Sequence, residues 1–163
     1  LIVQPKVENN YCVSDYDNDL IKLVVLNRYN PAKPAVAFVK NFGLKRGVLA
    51  ASVAHDSHNI IAVGVNDAEI VAAINLVIKE KGGISCVKEG LEKVLGLPVA
   101  GLMSLADPYT VASDYTAIDK MAKSLGTKLG SPFMTLSFMA LLVIPHLKLS
   151  DKGLFDGDQF KLF

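Results

Sequence analysis

The pattern of apolar and polar positions marks out about six strands and three helices before any side chain is asked to do chemistry. Residues 20–26, Leu-Ile-Lys-Leu-Val-Val-Leu, are rich in β-formers and predict a strand. The run Asn27-Arg28-Tyr29-Asn30-Pro31 breaks it. Residues 35–40, 46–53 and 59–65 predict three further strands, with Asn41-Phe42-Gly43 as a turn. Short links between successive strands favour antiparallel pairing. A helix is predicted from Asn66, which caps with Glu69 three residues on, and Ile70, Ala73, Ile74 and Val77 form its buried stripe. Lys79 and Lys81 occupy its last turn, and Gly82-Gly83 stops it. Residues 84–87 and 91–97 predict two more strands. Asp107-Pro108 opens a second helix with Val111, Tyr115, Ile118, Ala122 and Leu125 on one face and Gly126 as its stop. Ser131-Pro132 opens a third, apolar all round and ending before Pro145; such a helix is buried on every side or packs against another domain. Residues 147–163 read as a tail with a turn at Asp151-Lys152-Gly153. The expected class is α+β: a mixed, largely antiparallel sheet of about six strands with three helices packed on it. Residues 1–19 are expected to be an irregular polar segment, and 20–163 the folded domain.

Composition narrows the function classes. The 163 residues are 51% hydrophobic, which suits a well-buried sheet or a face hidden against something else. Seventeen basic residues nearly balance 16 acidic ones, a formal net charge of +1, so no basic field points to nucleic acid. Trp is absent and aromatics are 7%, which argues against stacking platforms for single strands. Cys12 and Cys86 are too few and too far apart for a disulfide framework or a metal knuckle; reduced thiols in a cytoplasmic protein are expected. Leu1-Ile2-Val3 leads into Gln4-Pro5-Lys6 without a signal-peptide pattern. The longest apolar run, 133–144, is too short to span a bilayer and contains Thr135 and Ser137. The chain lacks an initiator Met, so it reads as trimmed or as a piece of something longer. The Asp15, Asp17, Asn18, Asp19 run lacks the Gly and the final Glu of a calcium loop and reads as a solvated loop.

Candidate chemistry concentrates between two apolar strands, where His55-Asp56-Ser57-His58-Asn59 places five polar residues in a short link. Two of the three histidines are here. Two imidazoles and a carboxylate are suitable metal ligands, but His at i and i+3 diverge on a straight strand and converge only if the backbone turns. His146 is the only other imidazole, so no metal site is assigned within this chain. Adjacent residues do not easily reach the geometry of an Asp-His-Ser triad. A polar loop that holds a tight turn is the plainest reading. The sharper one is a loop that supplies hydrogen bonds or a proton-transfer group to a site shared with another domain. Gly43-Leu44-Lys45-Arg46-Gly47 fits no phosphate-binding fingerprint and reads as a hairpin turn. Met103, in the small-residue segment 98–104, and the opening of the third helix, 132–135, read as packing. Nothing resembling the repeating strand–helix pattern of a catalytic barrel is present.

Several stretches closely resemble the C-terminal domain of bacterial and archaeal adenine deaminases. They are residues 38–47 (FVKNFGLKRG), 51–61 (ASVAHDSHNII), 97–104 (LPVAGLMS), 132–138 (PFMTLSF) and 144–149 (IPHLKL), in matching order and spacing. The resemblance covers roughly residues 22 to 163. Two departures fall in the terminal segment: Leu142 where a second proline is expected, and His146 where an acidic residue is commoner.

The resemblance implies part of an amidohydrolase-type enzyme that converts adenine and water to hypoxanthine and ammonia in purine salvage. The water would be activated by manganese or iron held in a (β/α)₈ barrel outside this chain. It also implies cytoplasmic location, a barrel domain as partner, homo-oligomerisation, and no contact with nucleic acid or membrane. The expected supporting catalytic residues are His55, Asp56 and His58; the expected substrate contacts are Ser52, Ser57 and Asn59. The isolated chain is expected to be inactive. The competing reading is a stand-alone structural, dimerisation or purine-binding module without chemistry.

Overall fold

A computed structural model describes residues 2–163. The chain order is β1 (Lys6–Glu8), β2 (Tyr11–Val13), β3 (Leu20–Leu26), β4 (Ala35–Lys40), β5 (Val48–Ala51), β6 (Ile60–Gly64), α1 (Asp67–Lys79), β7 (Gly83–Lys88), β8 (Leu91–Gly96), α2 (Pro108–Ser124), α3 (Pro132–Phe138), β9 (Leu147–Ser150), β10 (Gly153–Asp156) and β11 (Lys161–Leu162). The central sheet has six strands in the order β4-β3-β6-β5-β7-β8, every neighbouring pair antiparallel. The class is α+β, as the alternation of patterns predicts.

Side chains sort to two faces by the period of two. Val24, Val48, Ala50, Ile60, Ala62 and Val87 face α1 and meet its stripe of Ile70, Ala73, Ile74 and Val77. Ile21, Leu23, Val25, Leu49, Ala51, Ile61, Val63, Ile84 and Cys86 face the other way. There they pack with Ile118, Met121, Ala122 and Leu125 of the α2 region and with Phe133 and Leu136 of α3. The two middle strands, β5 and β6, are buried along their whole length, which explains their unbroken apolar runs. Burial pushes the Cys86 thiol up to about 12, so it is an inert core residue. The helix starts follow the capping pattern: Asn66 Oδ1 accepts from Glu69 N at 3.2 Å, and Asp107 Oδ1 accepts from Tyr109 N and Thr110 N at 3.0 and 3.1 Å.

Four local expectations change. The link 41–47 is not a hairpin turn, because β4 and β5 are separated in the sheet by β3 and β6. It crosses the sheet end, held where Lys45 N donates to Leu125 O at 2.9 Å and Thr127 Oγ1 donates to Phe42 O at 2.6 Å. The third helix stops at Phe138 rather than before Pro145, since the Met139 carbonyl accepts from Leu149 N of β9 instead of continuing a helical ladder. Nor is it buried all round: Met134 is 51% and Phe138 39% exposed. The terminal tail forms its own antiparallel sheet, β11-β10-β9. Within 1–19, expected to be irregular, β1 and β2 pair as a hairpin, and Ser14 Oγ donates to Gly64 O at 3.2 Å, tying the segment to β6. Among the described residues, no helix is long and apolar enough to cross a membrane.

The topology fixes where the polar loop sits. Ala51 pairs with both Ile61 and Ile84, Leu26 pairs with Ile60, and Gly83 pairs with Gly96. The β3–β4 link, the β5–β6 link, the entry to β7 and the exit from β8 therefore meet at one end of the sheet.

Candidate functional site

The rim at that end is built on Ser52, the first residue beyond β5 and fully buried. Its hydroxyl accepts from Gly83 N at 2.8 Å and donates to Gly101 O at 2.6 Å, so one side chain joins three backbone segments. The backbones approach so closely that only glycine fits: a Cβ at Gly82, at φ +131°, would collide with the Cα of Gly101. A Cβ at Gly101 would in turn collide with Nη1 of Arg28. Arg28 N donates to Asn59 Oδ1 at 3.1 Å, which returns the circuit to the polar loop; Asn59 is buried.

The loop itself turns sharply. His58 N donates to Ala54 O at 2.7 Å, and His58 adopts φ +51°. The turn brings the two imidazoles together, with ring centroids 5.8 Å apart. The His55 ring stacks on Phe138 of α3 at 5.1 Å, and His55 N donates to Ser137 O at 3.2 Å. Tyr29 Oη donates to Ser57 O at 2.8 Å and receives a hydrogen bond from Arg28 Nη2 at 2.9 Å. Arg28 Nη2 also donates to Ala100 O at 2.9 Å.

Of the six residues singled out from the sequence, His55 and His58 come together as half-buried rings, and Asp56 and Ser57 form the exposed tip. Ser52 and Asn59 have side chains committed to backbone groups. Arg28, Tyr29 and Phe138 also build the site. Arg28 and Tyr29 read in sequence only as part of a strand break; an Arg-Tyr pair within an Asn-rich turn is the one local signal that they are placed for contact.

Three buried nitrogens on this rim have no hydrogen-bond partner: Arg28 Nε, His55 Nδ1 and His58 Nδ1. These are the buried side-chain polar atoms left unsatisfied among the described residues, and all three lie here. Buried polar groups are normally paired, so this cluster of orphans is the distinctive feature of the rim. Burial, and then the neighbouring His55 and Arg28, hold the His58 imidazole below its ordinary value of about 6.5, with Asp56 pulling the other way. Neutral His58 can donate from one ring nitrogen and accept at the other. Among the described residues, no three His, Cys, Asp or Glu side chains converge as metal ligands. A largely apolar cavity of about 380 Å³ lies apart from the rim, where Val71, Ile74 and Ile78 of α1 face Val24 and Val36 of β3 and β4.

Two outcomes follow from this geometry. Ser52→Ala leaves Gly83 N and Gly101 O unpaired and is expected to cost about 1–3 kcal/mol, read by urea unfolding. His58 has a folded-state proton affinity below its unfolded one, so its contribution is constant above the ordinary value of about 6.5 and destabilising below it. Unfolding free energy should fall as pH drops from about 6.5, and His58→Gln should flatten that part of the profile.

The adenine deaminase C-terminal domain family matches residues 1–161. Among curated relatives, a protein named adenine deaminase from Sulfurovum sp. is 59% identical over 143 residues, covering 87% of this chain and 27% of the relative. An adenine deaminase from Methanosarcina acetivorans is 55% identical over 159 residues, covering 96% of this chain and 28% of that protein. One from Salinibacter ruber is 53% identical over 163 residues, covering 98% and 30%. The chain thus spans under a third of the length of these relatives. By sequence and extent, the chain belongs to the adenine deaminase C-terminal domain family.

Proposed function

We propose that this domain, with residues 20–163 as its core, serves as the C-terminal part of an adenine deaminase. The reaction adds water at C6 of adenine and releases the exocyclic amine as ammonia, leaving hypoxanthine. Its role is purine salvage in the cytoplasm. The metal that generates the nucleophile, manganese or iron, is held by a barrel in the rest of the longer polypeptide. The rim of 52–59 lies at the mouth of that barrel, where it supplies polar groups beside the purine or closes over it.

The observation that carries this reading is the cluster of three orphaned nitrogens on one rim of a domain whose relatives are named adenine deaminases. His55 and His58 are the groups able to hold or move a proton there, and a neutral imidazole is suited to that at neutral pH. The exposure of Asp56 and Ser57 at the tip supports a role for them in contacting the purine. Ser52 and Asn59 act by fixing the loop rather than by reaching out.

A non-catalytic role as a packing or oligomerisation module is the second reading. Its support is the exposed apolar surface near α3: Met134, Phe138 and, at 66% exposure, Val143. The two readings separate in the longer polypeptide. His55→Ala and His58→Ala should each lower kcat for adenine hydrolysis by roughly 10²-fold, the low end for a positioned proton-transfer group, in proteins that still unfold cooperatively on heating. Wild-type turnover in both variants would make the loop structural.

A further inference from the structure

The two edges of the central sheet are built differently. β8 closes one edge and carries Glu92 and Lys93 within the strand, charges that discourage another strand from pairing there. β4 closes the other, with β3 as its one ladder partner among the described residues. Its interior, Ala35-Val36-Ala37-Phe38-Val39, has no charged residue, and Lys33 and Lys40 flank it. In an antiparallel strand every second residue turns its N–H and C=O away from the neighbour it pairs with. Alternate residues of β4 therefore point backbone groups outward, with no strand to receive them.

The sheet is hollow and largely apolar on both faces beside that edge. On one face Val36, 53% exposed, borders the cavity of about 380 Å³ lined by Val24 and by Val71, Ile74 and Ile78 of α1. On the other, a cavity of about 490 Å³ lies between Ala37 and Val39 of β4, Leu147 and Leu149 of β9 and Leu154 of β10. A strand sends successive side chains to opposite faces. One more strand beside β4 would place alternate side chains in the two cavities while its backbone takes up the free ladder. Unpaired backbone with a side-chain pocket on either side is the arrangement used in recognition by strand addition.

Three observations point to one occupant. The start of the chain lies at this edge, since Val3 lines the second cavity beside Phe38, Lys40 and Asn41. Relatives in this C-terminal domain family are more than three times the length of the chain. On the reading of the chain as part of a longer polypeptide, the preceding residues therefore arrive here. Lys33 and Lys40 favour carboxylates at the two ends of an incoming strand. The same lysines oppose a second copy: two β4 strands paired antiparallel about a two-fold axis at Ala37 and Phe38 set Lys40 of each copy against the Lys33–Ala35 end of the other.

We propose that β4 is a docking edge for one extended strand from the part of the longer polypeptide outside residues 1–163, apolar on both faces and with an acidic residue near each end. β4 starts from the 27–34 link at the rim, so a strand seated along it fixes the rim relative to the rest of that polypeptide.

The test is hydrogen–deuterium exchange, read residue by residue, on the longer polypeptide. With the strand seated, every amide of 36–40 should exchange about tenfold or more slower than exposed backbone. Val36→Glu puts a charge at an exposed position and should release alternate amides of 36–40 to the exposed rate, while β5 and β6 stay protected and report an intact sheet. Lys33→Glu combined with Lys40→Glu should act in the same direction at low salt; unchanged protection there overturns the acidic ends. Alternate β4 amides that exchange as exposed backbone in the wild type overturn the docking edge. Protection that falls on dilution overturns the intramolecular strand in favour of a second copy. Adenine hydrolysis by the same samples separates this from the proposed function. Turnover with β4 unprotected removes the strand and leaves the deaminase reading, whereas a protected β4 without turnover removes the deaminase reading and leaves the strand.

Discussion

One buried hydroxyl anchors the functional end of this domain. Ser52 joins the exit of β5, the entry to β7 and the loop that follows β8 through hydrogen bonds of 2.6 and 2.8 Å. The contact works because glycines stand where the backbones meet: Gly82 against Gly101, and Gly101 against the Arg28 guanidinium. From Arg28 the circuit closes through Asn59 on the far side of the polar loop. Any side chain at Gly101 would evict Arg28, and loss of the Ser52 hydroxyl would strand two buried backbone groups. The rigid sheet thus holds the rim, and the rim holds the polar loop. That division is how binding groups are commonly carried on loops without a loss of precision.

The loop is held tightly in its backbone and poorly satisfied in its side chains. Ser52 and Asn59 are fully engaged, while Arg28, His55 and His58 each keep a buried nitrogen without a partner. Burial without pairing costs free energy, and natural folds retain such a cost where a site requires it. The depressed basicity of His58 has the same origin, since burial, and then the neighbouring His55 and Arg28, disfavour a second proton. We propose that a domain organised in this way forms half of an interface. Its membership in a family whose relatives are more than three times its length gives that observation its natural setting.

Much of the fold was legible because it is local. The capping of α1 by Asn66, the stripe of Ile70, Ala73, Ile74 and Val77, and the β-rich run of β3 each follow from a few neighbouring residues. The fully apolar β5 and β6 were legible as strands, and their burial on both faces explains the lack of alternation. What escaped was decided by distant partners. The third helix stops where Leu149 takes the Met139 carbonyl, 10 residues along the chain, and the tail becomes a sheet by pairing with itself. The 41–47 link crosses the sheet rather than reversing, because Leu125 and Thr127 receive it. In the site, the density of polar residues at 55–59 was plain in the sequence. That His55 and His58 face each other was not, because it needs the turn closed by Ala54 and His58. Arg28 was invisible for the same reason: its place depends on the absence of a side chain at Gly101, 73 positions away.

The central claim is that this rim completes a site whose reactive centre lies in the rest of a longer polypeptide. The most direct measurement is adenine hydrolysis by the 163-residue chain alone, supplied with iron or manganese and followed by ammonia release. Release at the uncatalysed rate is predicted. Metal-dependent turnover by this chain would contradict the claim, since it would place a complete catalytic centre within the domain itself.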